Sequence, residues 1–143
     1  MISLTHFHPM VVHFPIALIL IGFLADLISL FFKQEKCLTK TGFYLMIVGT
    51  LSAIVAYISG NFFTEHPEEG AIHEVFELHE SAALITLIIM LVASIIRIFL
   101  VVRKLDETNW KWLVFALYLA GTIAVSITGF WGGSMVFDYM TGI

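Results

Sequence analysis

The sequence contains few charged residues and only one cysteine. Charged side chains make up 13% of the 143 residues, and apolar side chains make up 59%. A typical soluble domain is about 25% charged, and one of this size leaves roughly 30% of its chain surface in water. Disordered segments are poor in apolar residues. Both classes are therefore excluded, and the composition indicates an integral membrane protein.

Several signatures of other protein classes are missing. The single cysteine, Cys37, offers neither a disulfide nor a thiolate metal cluster. The HExxH motif of zinc hydrolases and the ExxH pairs of di-iron bundles do not occur in the sequence. The ten-residue alternation of membrane-spanning strands is not visible. No nucleic-acid partner is expected, and whether the protein is an enzyme stays open.

Four apolar runs are each long enough to cross about 30 Å of hydrocarbon as a helix. They cover residues 10–32, 42–63, 81–102 and 110–131. Short connections follow the first and third runs, and short connections make neighbouring helices antiparallel. We predict an all-α membrane protein with one domain over residues 1–143. Its four transmembrane helices form an up-down-up-down bundle.

The basic residues predict the orientation of this bundle. All seven lie on the side of the two short connections: Lys33, Lys36, Lys40, Arg97, Arg103, Lys104 and Lys111. The positive-inside rule places that side in the cytoplasm. Both termini and the acidic segment 64–80 then lie outside, on the periplasmic face of a bacterial inner membrane. The first run is not expected to be a signal peptide, because no basic region precedes it.

Six histidines fall on the predicted outer side. They are His6, His8, His13, His66, His73 and His79. His13 lies just inside the first span and His79 just before the third, and these two helices are diagonal across the bundle. Two imidazoles at one depth on diagonal helices can face each other, as the axial ligands of haem iron do. Simple packing of the histidines explains the same positions.

A second set of candidate ligands follows in the segment HEVFELHE. His73 and Glu77 are an i, i+4 pair, and Glu80 comes three residues later. With the other histidines and acids, they could gather Zn²⁺, Cu²⁺ or Fe²⁺ instead of haem. A solvated amphipathic turn at the membrane surface is the alternative interpretation.

Two charges lie well inside their spans. Asp26 is about 9 Å from the cytoplasmic end of the first helix at 1.5 Å per residue, and Arg97 is at a similar depth in the third. A lone charge at such depth is costly, so a buried Asp26–Arg97 ion pair is expected. The alternative is that Arg97 extends to the lipid head groups while Asp26 is hydrated or protonated. An ion path across the bundle is the functional interpretation, although few hydroxyls are present to continue it.

Small residues recur along the second and fourth spans. They are Gly49, Ala53, Ala56 and Gly60 in the second, and Ala116, Ala120, Ala124, Thr128 and Gly132 in the fourth. Such residues let membrane helices pack closely, within the bundle or between copies in an oligomer. They could also make room for a flat macrocycle.

The opening segment HPMVVHFPIAL, residues 8–18, is the most specific motif. Pro9 suits the first turn of a helix, whereas Pro15 removes a hydrogen bond inside the apolar run and predicts a kink. With SGNFF, LHESAAL and the ending GFWGGSMVFDYMTGI, this segment resembles a family of bacterial four-helix membrane proteins catalogued as a domain of unknown function. The resemblance covers nearly the whole chain. It implies that His8, His13 and His79 are family histidines, and it implies no reaction.

Three functions remain open on the sequence alone. The first is a haem b protein with ligands from His8, His13 and His79, exchanging electrons with a quinol or a periplasmic redox protein. The second is a membrane protein that binds or transports a transition-metal ion. The third is a structural subunit of a larger membrane complex.

Overall fold

The computed structural model describes residues 7–64 and 67–139, and every regular element in those ranges is helical. A short helix α1 (Phe7–Val11) is followed by α2 (His13–Ser29), α3 (Lys36–Phe63), α4 (Ala71–Val102) and α5 (Trp110–Ser134). A π-helical turn (Met135–Tyr139) extends α5. Four helical segments are long and apolar enough to cross a membrane: Phe7–Ser29, Lys36–Phe63, Ala71–Val102 and Trp110–Tyr139. The prediction of an all-α protein with four membrane-spanning helices is confirmed.

The observed helix ends differ from the predicted limits. Some helices continue through polar residues beyond their apolar run, and one ends earlier. The third helix starts at Ala71 rather than residue 81, so the HEVFELHE segment forms the first turns of α4. Its start follows Gly70, whose φ of 94° favours glycine. The first helix ends at Ser29, three residues before its predicted limit.

The first span is interrupted near its prolines. Helix α1 ends at Val11, Val12 forms a turn, and α2 begins at His13. Pro15 therefore lies in the first turn of α2, where its missing N–H breaks no bond within that helix. The backbone nevertheless continues as one helical segment, Phe7–Ser29, because Val12 has helical φ and ψ and its N–H donates to the carbonyl oxygen of His8 at 3.1 Å.

The bundle consists of two helical hairpins. Helix α2 packs mainly on α3, and α4 packs mainly on α5, whereas the contacts of α3 with α4 and of α2 with α5 are fewer. We call α1–α3 the N-terminal hairpin and α4–α5 the C-terminal hairpin. The largest fully buried core side chains come from all four long helices: Ile19, Met46, Met90 and Tyr118.

Close helix approach within the hairpins uses the small residues singled out above. Gly49 lies against Ile19, so that a Cβ there would come within 2.9 Å of its side chain. Ala53 and Ala56 are buried, as is Ala124 of α5. The small residues of the second span thus pack inside the bundle.

The two ends of the bundle carry different charges. We call the end with residues 67–70 and 135–139 the acidic end, and the end with the two short connections the basic end. The acidic end carries Glu68, Glu69, Glu74, Glu77, Glu80 and Asp138. The seven lysines and arginines are all at or near the basic end.

Candidate functional site

Two imidazoles meet near the acidic end of the bundle. The ring centroids of His8 and His79 are 6.5 Å apart, and their planes cross at 80°. Both side chains are half-buried. His8 belongs to the N-terminal hairpin and His79 to the C-terminal hairpin, so this contact joins the two hairpins across the bundle.

His8 is held by its own hairpin. Its Nδ1 atom lies 2.8 Å from the hydroxyl of Ser59 in α3, and that hydroxyl donates to the carbonyl of Ala56 at 2.8 Å. The ring also lies against Gly60, where a Cβ would come within 3.0 Å of its Cε1 atom. The SG dipeptide of α3 therefore provides both a hydrogen bond and the space that the ring occupies.

His79 is held in a similar way by the C-terminal hairpin. Its Nδ1 atom lies 3.0 Å from the backbone carbonyl oxygen of Thr128 in α5. Gly132, one turn further along α5, leaves room for the ring, since a Cβ there would come within 3.2 Å of Cε1. The hydroxyl of Thr128 is in turn 3.1 Å from that of Thr86 in α4.

These hydrogen bonds assign the tautomers of the two rings. A carbonyl oxygen only accepts, so Nδ1 of His79 must donate to Thr128. The Ser59 hydroxyl uses its proton on Ala56, so Nδ1 of His8 donates to Ser59. Each neutral ring then keeps a lone pair on Nε2, the atom that binds a metal when Nδ1 is engaged in this way.

His13 lies elsewhere. The sequence suggested that His13 and His79 face each other, but the ring that contacts His79 is that of His8. His13 is exposed at the first turn of α2. The helical period explains the difference, because His8 precedes the buried Asp26 by eighteen residues, or five full turns, whereas His13 precedes it by thirteen. Depth alone does not determine which histidine points inward.

The second set of candidate ligands does not extend this pair. Nδ1 of His73 is 2.9 Å from the carbonyl oxygen of Pro67, and Nε2 is 3.5 Å from a carboxylate oxygen of Glu77. Nδ1 of His73 is therefore engaged within its own segment, and the contact of Nε2 with Glu77 is an ion pair only when the imidazole is protonated. Across residues 7–64 and 67–139, no group of three histidine, cysteine or acidic side chains is placed to hold a metal ion. His6 and His66 lie outside the described residues.

The structure brings Asp26 and Arg97 together near the basic end. The guanidinium binds the carboxylate through both Nη atoms, with Nη2 at 2.8 Å from Oδ1. The two side chains are only 9% and 10% exposed. A paired, bidentate arrangement is the one that makes two buried charges tolerable in this surrounding.

The N-terminal end of α3 completes the environment of this ion pair. Nη2 of Arg97 also donates to the carbonyl oxygen of Thr39 at 3.3 Å, and the guanidinium lies 5.8 Å from the ring centroid of Phe43. Gly42 lies directly against the carboxylate of Asp26, and a Cβ there would overlap with Oδ1. The pair thus joins α2, α3 and α4.

A third polar contact joins the hairpins midway along the bundle. The hydroxyl of Thr50 in α3 lies 2.8 Å from that of Ser94 in α4, and both residues are buried. The Thr50 hydroxyl also bonds a carbonyl of its own helix, that of Met46, at 2.8 Å, so a shift of the two helices would cost the Ser94 hydroxyl this partner. The hairpin interface thus has polar contacts at both ends and in the middle.

Comparison with known proteins identifies a family and no characterised relative. No curated protein and no solved structure matches the chain. One family model matches residues 5–143, nearly the entire sequence, under the description "Predicted membrane protein (DUF2231)". The chain therefore belongs to the DUF2231 family of predicted membrane proteins.

Proposed function

We propose that His8 and His79 are the two axial ligands of a haem b and that the protein transfers electrons near the acidic end of the bundle. The observation that carries this proposal is the meeting of two imidazoles whose Nδ1 atoms are both engaged. Each ring is left with an Nε2 lone pair and a fixed orientation. This is the ligand state that haem iron requires.

The separation of the rings is compatible with a metal between them. An imidazole–metal bond is about 2 Å long, so rings at this separation would both reach one iron ion. The observed centroid distance is 6.5 Å. The rings come from different hairpins, and the packing between hairpins is looser than within them. This interface therefore has less packing to displace than the interior of either hairpin.

The number of ligands favours haem over a bare metal ion. A macrocycle supplies four donors and leaves two axial positions, which two histidines fill. A Zn²⁺ ion takes three or four ligands from protein, and the described part of the chain offers no such group. A histidine–carboxylate site for Zn²⁺, Cu²⁺ or Fe²⁺ remains the alternative that the test below can reveal.

A bound haem would supply a one-electron couple. The residues of the chain would set its properties: Ser59 and the Thr128 carbonyl hold the Nδ1 protons and make Nε2 more basic. Gly60 and Gly132 keep the rings in place. We propose a quinol or a periplasmic redox protein as the electron partner, because the histidine pair lies at one end of the bundle only.

We also propose the orientation that the charges favour. With every lysine and arginine at or near the basic end, that end would face the cytoplasm of a bacterial inner membrane. The termini and the histidine pair would then face the periplasm. This side matches the proposed exchange of electrons with a partner outside the cytoplasm.

Absorption spectra of the purified protein test the proposal. We expect protein expressed with a haem supply to be coloured, with a Soret band that shifts on reduction with dithionite. His8→Ala and His79→Ala should each remove or change this spectrum. His13→Ala and His73→Ala are matched controls that should leave it intact, since neither side chain contacts the pair.

Three results would contradict haem binding. A protein that stays colourless when haem is supplied would exclude it. Stoichiometric zinc, copper or iron without a porphyrin spectrum would point to the metal-ion alternative. Absence of both, with other membrane proteins co-purifying, would favour a structural subunit.

A further inference from the structure

The hydroxyl of Tyr118 is buried without a partner. Tyr118 of α5 is 0% exposed, and no atom of the described residues forms a hydrogen bond with its hydroxyl. A hydroxyl that is removed from both water and protein acceptors is unfavourable, and such groups in native proteins are usually satisfied by an ordered water. This hydroxyl therefore points to a ligand at its position.

An acceptor group with unused lone pairs lies near the Tyr118 hydroxyl. The Tyr118 hydroxyl lies against Gly22 of α2, where a Cβ would overlap with it. A Cβ on Gly42 would overlap with the Asp26 carboxylate and lie 3.1 Å from the carbonyl oxygen of Gly22. The hydroxyl, the carboxylate and this carbonyl thus surround one small region between α2, α3 and α5.

Asp26 can accept more hydrogen bonds than it receives. A carboxylate has about four acceptor positions, and Arg97 occupies two of them. The Tyr118 hydroxyl and the Asp26 carboxylate do not form a direct hydrogen bond. A donor without an acceptor thus lies near an acceptor with spare lone pairs.

We propose that one buried water molecule bridges the Tyr118 hydroxyl and the Asp26 carboxylate. Water can accept from the phenol and donate to the carboxylate, and the Gly22 carbonyl offers a third partner. A buried water typically makes two to four such bonds, about three on average. A neutral ligand also suits this site, because the Arg97 guanidinium would repel a cation and the Asp26 carboxylate would repel an anion.

The water would add α5 to the ion pair. Asp26, Arg97 and Thr39 already connect α2, α4 and α3. Tyr118 belongs to α5, and a bridging water would connect it to the same carboxylate. All four long helices would then meet in one hydrogen-bond network near the basic end.

A structure at a resolution that orders buried water tests this site directly. We expect one peak within hydrogen-bonding distance, about 2.7–3.0 Å, of both the Tyr118 hydroxyl and an Asp26 oxygen. The peak should be lost or displaced in Tyr118→Phe, with the Asp26–Arg97 pair intact. A direct hydrogen bond from Tyr118 to protein, or no peak in the wild-type protein, would overturn the proposal.

Thermal unfolding in detergent gives an independent measurement. Tyr118→Phe should lower the unfolding midpoint by roughly 3 °C, the shift typical of one lost interaction in a protein of this size. Tyr44→Phe removes the same atom from an exposed tyrosine and should not shift it. An unchanged or higher midpoint in Tyr118→Phe would show that the hydroxyl has no bridging partner.

Discussion

His79 and Arg97 lie on the same face of α4, separated by eighteen residues. Eighteen residues make five full turns of an α-helix and span about 27 Å, close to the thickness of a bilayer core. The first and second membrane-spanning segments repeat this interval. It separates His8 from Asp26 and Gly42 from Gly60.

This repeated interval places two polar layers directly above one another. One contains the histidine pair and the other the ion pair, and each joins the two hairpins. The imidazole contact and the bidentate ion pair are made by different residues, so substitutions can test each of them separately. A substitution in one layer should leave the other layer unchanged.

Removing one partner of the ion pair should destabilise the protein strongly. Asp26→Ala leaves the Arg97 guanidinium buried without its carboxylate, and we expect a loss of about 3–5 kcal/mol. The measurement is equilibrium unfolding in a detergent–denaturant titration. Arg103→Ala, which removes an exposed arginine, is the control. The double variant Asp26→Ala/Arg97→Ala should recover part of the loss, and equal stability of Asp26→Ala and wild type would contradict this role.

Gly42 should be required for the close packing of the layer that contains the Asp26–Arg97 ion pair. Gly42→Ala would place a methyl group on the Asp26 carboxylate and near the Gly22 backbone, so the helices must separate. We expect a clear loss of stability in the same titration, since overpacking typically costs about 1–3 kcal/mol. Gly133→Ala is the matched control, because nothing lies within 4 Å of its new Cβ. If both substitutions changed the free energy of unfolding equally, the effect would come from helix propensity and not from overpacking at Gly42.

Ser59 should control the His8 ligand if haem is bound. Ser59→Ala removes the acceptor of the Nδ1 proton, and loss of such a partner typically weakens metal binding by about 10–100-fold. Haem titration followed by absorption measures this change. Ser52→Ala is the control, because the Ser52 hydroxyl also bonds a carbonyl of its own helix, that of Gly49. Unchanged affinity in Ser59→Ala would remove Ser59 from the proposed site.

The single cysteine allows a direct test of orientation. Cys37 is exposed at the start of α3, at the basic end. With that end in the cytoplasm, a membrane-impermeant maleimide should label Cys37 in inside-out vesicles and leave it unlabelled in intact cells. Introducing Glu69→Cys into a Cys37→Ser variant should give the opposite pattern. Labelling of Cys37 from outside intact cells would reverse the proposed orientation.

The sequence predicted the spans well because length and hydropathy determine them almost alone. It also placed Asp26 and Arg97 at one depth, because two charges in apolar runs have few alternatives to pairing. Rotation about the helix axis was harder to predict. His13 and His8 are only five residues apart, and their different positions around the helix axis decide which ring faces His79.

Other features of the site depend on contacts between distant residues. The carbonyl of Thr128 carries no sequence signal, since every residue has one, and only helix packing brings it to His79. The isolated hydroxyl of Tyr118 is likewise invisible in the sequence. A usable signal did exist for His8: its eighteen-residue distance from Asp26 equals that between His79 and Arg97.

The division into two hairpins has a consequence for how the protein assembles. Each hairpin can insert into the bilayer by itself, and association of inserted helices is a separate, later stage. His8 donates its hydrogen bond to Ser59 of the N-terminal hairpin, and His79 donates to Thr128 of the C-terminal hairpin. Insertion alone therefore produces two prepared half-sites, and the complete site exists only after the hairpins associate. The pairing of the two imidazoles would thus report the last step of folding.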